Sequence, residues 1–346
     1  MIRGNSSPTS VPGESADRHV GDFFSPMASD DSPRPLKRFT SIPEQIELLR
    51  SRGLAISDEQ HARAVLRRIG YFRFSGYAHS LKSRASPLDD SETFRRDASF
   101  DTIEGLIQFD EALRAAVLGG LEAIELAIRA AVSARIGHLD VEAHRNERLL
   151  DRKFTLIDPA SGVSAYEAWR RRFDELCARS KEDFIEHHRR RYDGRLPVWA
   201  AMEVLDFGLL SRFVAGLQSR DRESIAKSFK VGHAGVLCSW LHMFNVIRNR
   251  AAHHARLWNR TTTKIPLLPS RDLHPNLSFL HDDKHARTRL FGALCCMQWM
   301  LKVISPQSAW HRQLKALMDS FPADGGLSPR SAGFPRDWQS LPLWCD

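Results

Sequence analysis

Residues 99–132 read SFDTIEGLIQFDEALRAAVLGGLEAIELAIRAAV. Ile103, Leu106, Ile107, Leu113, Val117, Leu121, Ile124, Ile128 and Val132 recur with the 3.6-residue period of an α-helix and set an apolar stripe along one face. Ser99 stands where an N-cap is needed, because its hydroxyl can accept a backbone N–H of the first turn. Gly119 and Gly120 lie inside the pattern. Each costs about 1 kcal/mol relative to Ala in a helix, so close contact with another helix is expected there. Runs with period-two alternation are scarce in the rest of the chain, so the elements that cover this stripe are expected to be helices. The fold class is all-α.

Working outward, Ile42, Ile46 and Leu49 recur at helical spacing, with Gly53 as a possible stop. Ser57 precedes Asp58, Glu59 and Gln60 in a capping-box arrangement. The helix it opens carries Ala62, Val65, Leu66 and Ile69 and stops near Gly70. The aromatic run Tyr71-Phe72-Arg73-Phe74-Ser75-Gly76-Tyr77 suggests packing without fixing a backbone form. A polar connection is expected over 137–163. Further helices fit 164–180, 182–192, 197–217, 221–230, 235–256, 285–304 and 308–320. Residues 1–34, rich in Ser, Pro, Gly and Asp, read as a disordered tail. Residues 35–346 read as one helical domain without an internal repeat.

Composition bounds the class further. Of 346 residues, 42% are hydrophobic and 27% charged, enough for a packed core and too apolar for wholesale disorder. The formal net charge of +8 suits a polyanionic partner without demanding one. The five cysteines, an odd count, show no zinc-type spacing and read as buried or partly buried free thiols in a reducing compartment. Met1-Ile2-Arg3-Gly4 runs into Ser and Pro without an apolar secretory core. The apolar stretches 115–132 and 290–301 are interrupted or too short to cross a bilayer. A cytoplasmic protein without membrane association is the expectation.

The chemistry sits in one segment. Residues 240–247 are an apolar helix, with Leu241, Phe244, Val246 and Ile247 as core. Polarity then rises: Arg248, Asn249, Arg250, His253, His254, Arg256, Asn259 and Arg260 fall within thirteen residues. Asn249 and His253, four apart, share a helical face, and Arg248 points about 100° away. Ala251 and Ala252 leave room for a neighbouring helix. An imidazole moves protons near neutral pH, and a guanidinium offers a planar fork for phosphate oxygens. Together they suit phosphodiester chemistry without a metal or other cofactor. The imidazole would activate an RNA 2′-hydroxyl or protonate the leaving 5′-oxygen, while the arginine stabilises charge on the phosphate. One histidine cannot easily make both transfers, so a second copy across a two-fold axis would supply the other. By spacing alone a solvated or hydrogen-bonded patch is the favoured reading, because R-x4-H is a weak pattern that occurs by chance. Metal ligation by His242, His253 and His254 is disfavoured, because no carboxylate or thiolate supports it and three arginines would repel a cation.

At this point the sequence resembles a known family. Arg248-Asn249-Arg250-Ala251-Ala252-His253-His254-Ala255-Arg256-Leu257-Trp258-Asn259-Arg260 resembles the signature of the Abi-like (AbiD/AbiF type) abortive-infection proteins, which are grouped with the HEPN superfamily of all-helical ribonucleases. Further likenesses occur in order. They are Pro43–Leu54, Ile69–Tyr77, then Glu122, Glu125 and Arg129, and Pro197, Trp199, Glu203, Phe207-Gly208 and Leu210-Ser211. Gly333-Phe334-Pro335, Trp338 and Pro342-Leu343-Trp344 close the series, so the resemblance spans roughly 35–346. It implies a HEPN-like helical bundle with additional N- and C-terminal helices and an R-x4-6-H motif within 248–254. Arg248, Asn249 and His253 would be catalytic. His254 also fits the spacing, and His253 is preferred because Asn249 then lies one turn above it. The resemblance further implies metal-independent RNA cleavage to a 2′,3′-cyclic phosphate, a homodimer, a role in phage defence or a toxin–antitoxin pair, and an RNA or protein antitoxin. Some relatives carry a tyrosine as AMP acceptor two residues after the histidine; here that position is Ala255.

The remaining candidates each carry two readings. Glu125 and Arg129 form an intrahelical ion pair, or line the groove facing Arg248 and orient it. Together with His254 and Arg256 they are the candidate supporting residues. Arg73, Arg250 and Arg260 are candidate RNA-binding residues. Arg67 with Arg68, Arg170–Arg172 and His187–Arg191 either grip phosphates or are solvated surface. Tyr71, Phe72, Phe74 and Tyr77 pack in the core or stack bases, and Trp258 anchors the end of the motif helix or stacks a base. The expected activity is that of an endoribonuclease; the alternative is a non-catalytic RNA-binding or RNA-sensing protein using the same basic groove.

Overall fold

The computed structural model of the chain describes residues 36, 38–83 and 92–345. Ser41 onward forms one compact unit. The expected tail, residues 1–34, lies outside the described residues. The helices run in order as α1 (Ile42–Ser51), α2 (Glu59–Ile69), α3 (Tyr71–Ala78), α4 (Phe100–Gly137), α5 (Arg152–Thr155), α6 (Ala165–Arg179), α7 (Asp183–Arg191) and α8 (Val198–Val204). They continue as α9 (Phe207–Gly216), α10 (Ser219–Ser228), α11 (Ala234–Ala252), α12 (Phe279–Asp282), α13 (Lys284–Thr288), α14 (Leu290–Ile304) and α15 (Trp310–Asp319). Among the described residues β structure is confined to isolated bridges, so the fold is all-α.

Helix α4 is the axis of the fold. Ser99 caps it by accepting the Thr102 N–H at 3.1 Å. All nine stripe residues from Ile103 to Val132 are buried, and α3, α8, α9, α10, α11, α14 and α15 pack around the helix. Gly120 is where it comes closest to its neighbours: a Cβ there would lie 2.8 Å from Trp310 Nε1 and 2.9 Å from Met297 Cε. Trp310 Nε1 donates to the Ala116 carbonyl at 2.8 Å, which locks α15 across the same point. Gly119, by contrast, faces open space. The C-terminal aromatics close the other side of α14, with Phe291 4.7 Å from Phe334 and Trp338 5.0 Å from Trp344, ring to ring.

Several boundaries differ from the sequence expectation, each for a local reason. The N-cap of α2 is Asp58, which accepts the His61 N–H at 2.9 Å, while Ser57 donates to Asp101. The aromatic run is helix α3, set off from α2 by Gly70 at φ +79°. The expected helix 197–217 is two helices. Leu205 is extended, Arg129 takes its carbonyl at 2.7 Å, and Asp206 restarts the chain by capping Leu209 N–H. The segment 285–304 is likewise split at the extended Arg289. The stretch 137–163, expected as a connection, holds short helical turns including α5. Of the five free cysteines, Cys295 and Cys296 are fully buried, Cys177 and Cys238 are partly buried, and Cys345 is exposed. No helix among the described residues is long and apolar enough to cross a membrane.

Candidate functional site

Helix α11 reaches Ala252 and not residue 256. His253 is the C-cap, and its N–H still reaches the Asn249 carbonyl at 2.9 Å, so Asn249 does stand one turn before it. His254 then takes φ +57°, the left-handed conformation usual for glycine at a helix end. His254 N–H bonds the Ala251 carbonyl at 3.1 Å, and Ala255 N–H bonds that of Arg250 at 2.9 Å. This pair of bonds closes the helix and turns the chain away. His254 therefore does not stack below Arg250 on a continuing helix.

A buried carboxylate enforces this turn. Asp110 on α4 is fully buried. It accepts the Trp258 N–H at 2.8 Å, the Leu257 N–H at 3.2 Å, the Tyr77 hydroxyl at 2.7 Å and Arg114 Nη1 at 2.7 Å. Two N–H groups that a longer helix would have turned inward are thus given to a side chain on a different element. The Tyr77 phenol is pushed up to about 12, first by burial and then by the adjacent Asp110 charge. Sequence reasoning missed Asp110 and Arg114 as determinants. The signal was present: both are charged residues on or beside the apolar stripe of α4, where a charge needs a partner.

Helix α3 clamps the same turn. Arg73 donates to the His254 carbonyl at 2.7 Å. Arg256 donates to the Gly76 carbonyl and lies 5.8 Å above the Tyr77 ring. Burial, then the charge of Arg260, lowers the Arg256 pKa. Arg250 reaches the Thr261 carbonyl at 3.3 Å. The guanidinium groups of Arg250 and Arg256 are thus engaged in holding the 250–261 segment, whereas Arg260 is exposed. Phe74 and Tyr77 are buried, but Phe72 is 92% exposed. Trp258 is buried and anchors the segment against Phe321.

Two recesses open beside α4 and share Leu118. The first, about 300 Å³, is lined by Arg248 with Glu122, Glu125, Leu126 and Arg129. Glu125 and Arg129 form their ion pair at 2.6 Å, and Arg129 also reaches Glu203 at 3.1 Å. The intrahelical ion pair is thus present, and the second reading is met only in that both residues line the recess with Arg248, since neither bonds it. Arg248 is a partly buried residue, and its guanidinium has no hydrogen-bond or ion-pair partner among the described residues. The second recess, about 580 Å³, carries His254 with Arg68, Arg73, Glu111, Arg114 and Ala252. Asn249 and His253 are exposed and line neither recess; Asn249 donates to Asn245 at 3.4 Å. Among the described residues, no group of three or more His, Cys, Asp or Glu is placed to hold a metal ion.

The fold and this site define a class: an all-α protein built on one long central helix, with a partly buried arginine and an exposed histidine pair at the end of the helix packed against it. A profile of the Abi-like protein family matches residues 64–259, more than half of the chain and the motif segment as far as Asn259, and the chain belongs to that family. Searches among curated proteins and among solved structures found no match. Family membership points to abortive-infection defence.

Proposed function

We propose that this protein is a metal-independent endoribonuclease of the HEPN type, acting in abortive infection or a toxin–antitoxin pair in the cytoplasm. The observation that supports it best is the unpaired Arg248 guanidinium, which lines a recess next to the basic recess of His254. A guanidinium that no side chain of the chain engages is free to take a phosphate as its partner. In this reading Arg248 binds the scissile phosphate and stabilises the charge that builds on its oxygens. An imidazole takes the proton from the 2′-hydroxyl. The 2′-oxygen bonds to phosphorus as the bond to the 5′-oxygen breaks, and that oxygen leaves with a proton. The products are a 2′,3′-cyclic phosphate and a 5′-hydroxyl end. Both imidazoles are exposed, His254 lines the recess and His253 has the Asn249 neighbour; the reading assigns proton transfer to this pair. A second copy of the chain, facing the first across a two-fold axis, supplies the second transfer. Single-stranded or looped RNA suits in-line attack better than a regular duplex. An RNA or protein antitoxin would restrain the enzyme by covering the same groove.

The test is incubation of purified protein with mixed RNA in EDTA. Cleavage is expected in the wild type and absent in Arg248→Ala and in the doubly substituted His253→Ala/His254→Ala. The single histidine variants assign the proton-transfer residue. RNA carrying a 2′-deoxy sugar at the cut site should survive. Binding without cleavage under all conditions would replace this reading with that of an RNA-binding module, and loss of cleavage in chelator alone would replace it with a metal nuclease.

A further inference from the structure

A third recess lies away from the motif helix. It is formed by the last turn of α7, the 192–197 turn, the start of α8 and residues 140–142, and it measures about 850 Å³. That is within the ~300–1,000 Å³ range of small-ligand sites. Two aromatic surfaces line it. Trp199 is 51% exposed and Tyr192 56% exposed. Trp199 is not a loose side chain: its ring lies against the end of α4, where a Cβ on Gly137 would stand 3.6 Å from Trp199 Cε3. Tyr192 is backed by the His188 ring at 5.2 Å, and His188 is itself held by Nδ1 on the Phe184 carbonyl at 2.7 Å. Each ring is therefore backed by a neighbouring element on one side and open to the recess on the other.

The charged groups sort by what they already hold. Glu142 is paired with Arg195, and Asp140 accepts from Asn146 at 2.7 Å and from the Glu142 N–H at 2.8 Å. Two groups remain open to a ligand. The Arg191 guanidinium has no hydrogen-bond or ion-pair partner among the described residues, and the Asp193 carboxylate accepts no hydrogen bond among them. The vacant chemistry is thus one cation, one hydrogen-bond-accepting carboxylate and two π-faces. A matching ligand has an anionic end, a flat aromatic body and an N–H-bearing or hydroxyl-bearing edge. A nucleoside phosphate has all three.

We propose that this recess binds a nucleoside phosphate, with the base stacked on Trp199 or Tyr192, the phosphate on Arg191, and the base edge or ribose hydroxyls on Asp193. The site does not depend on chemistry at Arg248. The ligand is either a free nucleotide or one unit of a single-stranded RNA whose remainder runs elsewhere on the protein. Base–aromatic stacking tolerates any base, and each of the four bases has an N–H on its pairing edge that the single carboxylate can accept.

The experiment uses the full chain carrying Arg248→Ala, so that cleavage neither consumes the probe nor enters the readout. Each of the four nucleoside 5′-monophosphates is titrated by calorimetry, and a labelled ten-nucleotide 2′-O-methyl RNA by fluorescence anisotropy. Arg191→Ala and Asp193→Asn, both at exposed positions, and Trp199→Leu are compared, with circular dichroism as the folding control. Binding of mononucleotides that weakens about tenfold or more in Arg191→Ala and Trp199→Leu supports a free-nucleotide site. Binding of the oligonucleotide alone, with the same losses, supports an RNA contact. No binding of either probe at millimolar mononucleotide and micromolar oligonucleotide, or binding unchanged in Arg191→Ala, overturns the proposal. Because Arg248 is already substituted, none of these results depends on whether the wild type cleaves RNA.

Discussion

Replacing Asp110 by Ala removes the acceptor on which α3, α4 and the turn after the motif helix converge. In the wild type its carboxylate receives four donors, from Tyr77, Arg114, Leu257 and Trp258. The Arg114 side chain is 6% exposed, so the variant leaves a buried guanidinium without its main counter-charge. Breaking a buried pair in this way costs about 3–5 kcal/mol. Arg114 keeps the Tyr77 hydroxyl at 3.3 Å and a long contact to Glu111 at 3.9 Å, which places it at the lower end of that range. The orphaned Leu257 and Trp258 N–H groups add roughly 1 kcal/mol each. The expected loss is about 4–5 kcal/mol, a large part of the ~5–15 kcal/mol that holds a folded protein together. Asp110→Asn retains one acceptor oxygen and should lose about half as much. Urea unfolding reads the difference as a fall in midpoint at unchanged slope. Hydrogen exchange at the Leu257 and Trp258 amides should accelerate in parallel. A loss below about 1.5 kcal/mol for Asp110→Ala would mean that the turn is held by α3 and the aromatic packing, and would refute the reasoning. The double replacement Asp110→Leu/Arg114→Met, which removes both charges, should be less damaging than Asp110→Ala.

Other expectations follow from single positions. Gly120→Ala should destabilise by about 1–3 kcal/mol, because its Cβ would enter the space of Trp310 and Met297, while Gly119→Ala should stabilise by up to about 1 kcal/mol; equal effects in thermal unfolding would contradict the packing described at α4. His254→Gly removes the left-handed strain at φ +57° and should raise stability by roughly 0.5–1 kcal/mol. The same variant is expected to lose RNA cleavage if His254 is the proton-transfer residue, so a melting scan and a cleavage assay on one protein separate strain from function. His144 is fully buried, neither ring nitrogen has a hydrogen-bond partner, and burial lowers its pKa to about 4. The unfolded chain, with its histidine near 6.5, takes up this proton at higher pH than the folded one. The contribution is therefore fully present above about pH 6.5 and is lost as pH falls towards 4, by about 3 kcal/mol. Urea unfolding of His144→Phe between pH 4.5 and 7 should show a flatter acid limb than the wild type; identical limbs would remove His144 as a source of the acid sensitivity.

Much of the architecture was written locally. The stripe from Ile103 to Val132 specified α4, its burial and its cap at Ser99, since periodicity and capping act over one turn of chain. The all-α class followed from the absence of a competing period-two pattern. The composition of the motif likewise marks residues 248–260 by local sequence alone. What the local pattern could not tell was where helices stop for reasons lying elsewhere in the chain. Arg129 takes the Leu205 carbonyl across 76 positions and helps to break one expected helix into α8 and α9. Asp110 takes two N–H groups across 147 and 148 positions and so ends α11 before the histidine pair.

That difference matters for the site. From sequence alone, Asn249, His253 and His254 belong on one helix, and Arg250, Arg256 and Arg260 form one basic set. In the folded chain His254 leaves the helix and enters a recess, His253 stays at its exposed end, and Arg250 and Arg256 are engaged with backbone carbonyls. Residue type and spacing determined which groups are available for chemistry. Only the tertiary structure decided which of them are free, because a guanidinium or an imidazole is available to a ligand only when the rest of the chain has not already claimed its hydrogen bonds.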